Sequence, residues 1–73
     1  MTELTDREHE VATNVWGEDT PINLREIDTE QLMAMHDRVS KAVQASYDDN
    51  DVESLGILLS LERKILDVLY ERL

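Results

Sequence analysis

At 73 residues, with seven Lys and Arg against seventeen Asp and Glu, the chain has room for one domain and a formal net charge of −10. That charge repels phosphate backbones and anionic headgroups, so direct binding to nucleic acid or membrane is disfavoured. The absence of cysteine removes disulfides, thiolate metal sites and thiol nucleophiles together.

A chain this short buries only about 60% of the surface it exposes when unfolded, so a second copy or a partner would help its core. The first residues, MTELTDREHEV, are acidic and polar where a signal peptide would be basic and then apolar. No apolar run approaches the roughly 18 residues that span a bilayer. The expectation is a cytoplasmic protein.

A first helix is expected over about 5–16. Thr5 can accept from the amide three residues on while Glu8 reaches back, the capping-box arrangement. Leu4, Val11, Ala12, Val15 and Trp16 then share one face at helical spacing, and Gly17 is a natural stop. The run Leu4-Thr5-Asp6-Arg7-Glu8-His9-Glu10-Val11 resembles the opening of the LuxR-type helix-turn-helix output domain, in which an LTxRExEV run starts the first helix. The resemblance spans eight of 73 residues. Past Gly17 the chain departs from it, with no basic recognition helix and an acidic segment broken by proline, so that family's DNA binding is not carried over.

Residues 17–27 read as an irregular linker arm. Thr20-Pro21 imposes extended backbone, and Ile22, Leu24 and Ile27 are apolar without helical period, so the three are expected to pack elsewhere.

A second helix is expected over about 28–47, capped by Asp28 with Gln31 in the reciprocal position and with Ile27 stapled to Leu32. Leu32, Met35, His36, Val39, Val43, Ser46 and Tyr47 fall on one face, opposite Asp37, Lys41 and Gln44. Asp48-Asp49-Asn50-Asp51 favours a turn, and Asn50 with Glu53 offers a third capping box for a helix over about 51–73. There Leu55, Leu58, Leu59, Ile65, Leu66, Leu69 and Leu73 form a stripe. Ile57, Leu61 and Val68 widen it to roughly 200° of the circumference, twice what a single-sided helix needs. Gly56 either permits close helix approach or is a surface accident.

Glu62 projects close to the middle of that stripe. Folding the chain back near residue 49 brings residues whose numbers sum to about 98 to one level, so His36 meets Glu62 while Leu32, Val39 and Val43 meet Leu66, Leu59 and Leu55. A carboxylate facing an imidazole can share a hydrogen bond and a charge where a lone carboxylate would be costly. The pair reads as a device that fixes register, with Arg38 as an alternative neighbour for Glu62. A functional version makes His36 a pH-sensitive hinge. Tyr47 and Tyr70 are expected at the two ends of the seam, ring inward and hydroxyl outward.

Two histidines without metal-ligand spacing point to no metal, and no catalytic motif or glycine-rich phosphate loop is present, so no enzyme and no cofactor are expected. The fold expected is all-α, one domain over 1–73. An antiparallel hairpin of 28–47 and 51–73 carries the short first helix and the arm packed on it, and a homodimer making a four-helix bundle would cover the wide stripe.

Residues 1–31 hold nine acids and two bases, the remainder eight and five. This bias suits a small regulator, inhibitor or adaptor that binds a protein with a basic surface, as on nucleic-acid machinery, and it also serves solubility. Candidate partner-binding residues are Glu8, Glu10, Trp16, Glu18, Asp19 and Met33. Trp16 is the sole tryptophan in a chain without phenylalanine, so it also suits the role of core plug. The alternative function is a self-associating structural bundle.

Overall fold

A computed structural model describes residues 3–17 and 19–73. Among them the elements are α1 (Asp6–Trp16), a 3₁₀ turn (Leu24–Glu26), α2 (Thr29–Asp48) and α3 (Val52–Glu71), with no strand beyond one isolated bridge between Glu3 and Asn23. The chain is all-helical, as its composition and periodicity led us to expect.

The capping box at α1 forms in full: the Glu8 amide donates to Thr5 Oγ1 at 3.2 Å, and the Thr5 amide donates to Glu8 Oε1 at 2.9 Å. Gly17 ends the helix at φ 82°, a left-handed conformation that costs glycine little, and returns its amide to the Thr13 carbonyl. The other two caps differ from expectation. Asp28 sits at the N-cap of α2 without a side-chain cap bond. At α3 the cap is Asp51, which accepts from the Ser54 amide at 3.2 Å, not Asn50. Asn50 instead takes φ 58° to turn the chain, a conformation that asparagine tolerates better than most residues.

Leu24 and Ile27 are buried as expected of the arm, whereas Ile22 stays 56% exposed. The reason is local. Asn23 accepts from the Arg25 amide at 3.0 Å and opens the 3₁₀ turn, which drives Leu24 inward, while the Ile22 carbonyl is held by the Leu4 amide at 2.8 Å.

The core joins Leu4 and Ala12, the arm's Leu24 and Ile27, α2's Leu32, Met35 and Val39, and α3's Leu58, Leu61, Ile65 and Val68. The buried line on α3 is thus displaced from the expected one. Leu61 and Ile65 form its centre, Leu59 is 48% exposed, and Glu62 lies at the margin. The displacement follows from α1, which packs on both α2 and α3 and draws that flank of α3 inward. Tyr47 and Tyr70 are both exposed rather than folded into the seam.

Arg72 donates to Thr29 Oγ1 at 3.1 Å and Ser40 donates to Glu62 Oε2 at 2.9 Å. The end of α3 therefore lies by the start of α2, and their middles lie together. Among the described residues nothing packs closely on Gly56: beyond its chain neighbours and the backbone of its own helix, a Cβ there would meet no atom within 4 Å.

Candidate functional site

Glu8, expected on a partner-facing surface, is 4% exposed and lies inside the molecule. Its Oε1 accepts from Lys64 Nζ at 2.5 Å as well as from the Thr5 amide, and its Oε2 accepts from Ser60 Oγ at 2.6 Å. One carboxylate thus closes the α1 capping box and pins α1 to α3. Burial alone would raise its pKa, but the Lys64 ammonium, the Ser60 hydroxyl and the Thr5 donors outweigh burial and bring it from the usual 4.5 down to about 2. Lys64 also donates to the Glu3 carbonyl at 2.9 Å, which ties down the start of the chain. The signal was present in the sequence: Leu4, Glu8, Ala12 and Val15 repeat at helical spacing, so Glu8 stands in the apolar face.

His36 and Glu62 do come level, but Nε2 and Oε2 stand 3.9 Å apart, beyond hydrogen-bond reach. The direct partner of Glu62 is Ser40, one helical turn beyond His36. Arg38, the alternative neighbour, points elsewhere. Its guanidinium lies 5.2 Å from the Trp16 ring centroid and donates to the Trp16 carbonyl at 3.3 Å, a favourable charge at the C-terminal end of α1.

The remaining candidates divide between two sides of the molecule. Trp16, half-buried against the core, borders a hollow of about 100 Å³ together with Asp19, Thr20, Glu26 and Gln31. Its wall is fixed by His9, whose Nε2 donates to the Thr20 carbonyl at 2.6 Å; a carbonyl only accepts, so that nitrogen carries the proton. Glu10 is exposed on the outer surface of α1, and Glu18 lies outside the described residues. Among the described residues, Asp6, Glu10, Asp19 and Glu26 are exposed and have no cation within ion-pair distance, while Arg7, Arg25, Lys41 and Lys64 are taken by Glu53, Glu71, Asp37 and Glu8.

On the other side lies Met33, 60% exposed, at the mouth of an apolar groove of about 350 Å³ lined also by Leu66, Leu69, Tyr70 and Leu73. From sequence, Met33 is expected to share a partner-binding role with the acidic residues of the first helix and the arm. The structure sets it apart from them, because α1 and the arm cover only one face of the α2–α3 layer.

Comparison with known proteins adds no family. No family model matches the chain, and neither a curated protein nor a solved structure matches it. Among the described residues no group of three or more His, Cys, Asp or Glu is placed to hold a metal ion, and no helix is long and apolar enough to cross a membrane.

Proposed function

We propose that this chain is a non-enzymatic regulator or adaptor that binds a basic protein surface through α1 and the arm. The observation that carries this reading is the set Asp6, Glu10, Asp19 and Glu26, exposed and without cations of their own. An acid-edged hollow bordered by Trp16 suits a lysine or arginine side chain from the partner, which gains the Asp19 and Glu26 carboxylates, the ring of Trp16 being already engaged by Arg38. The surrounding acids then supply long-range attraction and speed the encounter.

The test is capture of partners by the immobilised chain at low and high ionic strength, beside a Glu10→Gln, Asp19→Asn, Glu26→Gln variant. Basic proteins are expected to bind at low salt, to be released by high salt and to be lost by the variant. Capture indifferent to both salt and variant sinks the reading.

A second reading, a self-associating bundle built on the antiparallel hairpin of α2 and α3, is favoured by the uncovered face on which Met33 and Leu59 stand exposed.

A further inference from the structure

α2 and α3 each carry two lines of residues at alternating three- and four-residue steps. One line is the core. The other, which includes Met33, His36 and Ser40 on α2 and Leu59, Glu62 and Leu66 on α3, is half-buried or exposed throughout. A helix with two such lines has a place for two sets of neighbours, and α1 with the arm supplies only one.

We propose that a second copy of this chain docks on the uncovered α2–α3 face, related by a two-fold axis parallel to the helices, so that α2 of each copy lies against α3 of the other in a four-helix bundle. The pairing rests on self-association, the second reading above, and adds to it the face and the axis.

The dimensions fit. Both helices have 20 residues, which makes each about 30 Å long, and side by side at about 10 Å they present a face of roughly 600 Å² in projection. A stable interface uses about 800 Å² of accessible surface per partner, so nearly the whole face must be covered by rods of equal length. A second copy has them.

The charges choose the axis. Rotation about a line parallel to the helices keeps every residue at its own height, so His36 of each copy meets Glu62 of the other, at the level where its own Glu62 already stands 3.9 Å away. An axis across the helices at that level would set Glu62 against Glu62. At the rim, Arg63 alone of the seven Lys and Arg side chains has no ion pair, hydrogen bond or ring contact among the described residues. In the proposed pairing it comes within about two residues, roughly 3 Å in height, of Asp37 of the other copy, whose neighbour in its own helix is Lys41. The face itself carries one formal acid, Glu62, so the −10 charge of each chain is held mostly elsewhere.

Sedimentation of the full chain over micromolar to millimolar concentration, at low and high salt, tests this. The expected result is a dimer, twice the 8.4 kDa chain, that tightens as salt screens the net repulsion, opposite to the salt response expected for a basic partner. Met33→Lys and Leu59→Lys, at exposed positions, should keep the helical circular dichroism and weaken the dimer on the order of 100-fold. Arg63→Glu should weaken it several-fold, with recovery on adding Asp37→Arg. A chain that stays monomeric, its face open to another protein or an apolar ligand, overturns both the pairing and self-association. A dimer indifferent to Met33→Lys and Leu59→Lys overturns the face alone, and failure of Asp37→Arg to restore Arg63→Glu overturns the axis.

Discussion

Glu8 shows how much one side chain can be asked to do in a small core. Its two oxygens accept from the backbone of Thr5, the N-cap of α1, and from the side chains of Ser60 and Lys64 on α3. Because its folded pKa of about 2 lies below the ordinary 4.5, the stabilisation is fully present above about pH 4.5 and is lost as the pH falls toward 2. The shift corresponds to on the order of 3 kcal/mol. Urea unfolding of wild type and Glu8→Gln should therefore differ by about that amount near neutrality, and the gap should narrow steadily below about pH 4. A gap that does not change with pH would separate Glu8 from acid stability. Ser60 and Lys64 are invisible as partners when each helix is read alone, since they lie 52 and 56 residues away in the chain.

At the scale of elements, helix ends and glycine positions give the sharpest expectations. Asp51 accepts from the Ser54 amide, so Asp51→Ala should cost about 1 kcal/mol, whereas Asp28, with no cap bond, should lose only a few tenths as alanine. Equal losses in thermal or urea unfolding would contradict the difference between the two caps. Gly56 faces open space in the first half of α3, so Gly56→Ala should stabilise the fold by roughly 0.5–1 kcal/mol. A destabilised variant would mean that a close approach exists after all. Helix positions were legible because capping residues and apolar spacing act over three or four residues. The choice between Asn50 and Asp51 as the cap was not, because both types cap equally well and the turn geometry selects.

At the scale of the molecule, the arm is a structural element rather than a tether. Leu24 is fully buried while Ile22, two residues earlier, is largely exposed. Leu24→Ala should cost roughly 2–5 kcal/mol and Ile22→Ala under about 1 kcal/mol, read as the difference in urea unfolding free energy. Similar effects at both positions would show that the arm does not select between them. The exposed Arg25–Glu71 pair, with contacts of 3.1 and 2.8 Å, ties the arm to the end of α3. Arg25 holds the Glu71 carboxyl below its ordinary pKa. Exposed pairs of this kind contribute little, so the arm's attachment depends chiefly on Leu24 and Ile27.

The amino-acid sequence by itself determined that this chain is helical and where its helices begin and end to within two residues, since both follow from local spacing and from capping residues. Only the tertiary structure decided which half of α3's wide apolar surface is buried, that Ser60 and Lys64 are the donors Glu8 meets, and that Met33 stands apart from Glu10 and Asp19. A stripe of roughly 200° offers more than one way to be half covered, and the choice depends on where α1 comes to rest. That placement is settled by contacts such as Trp16 with Arg38 and Glu8 with Ser60 and Lys64, between residues 22 to 56 positions apart, which no local pattern encodes.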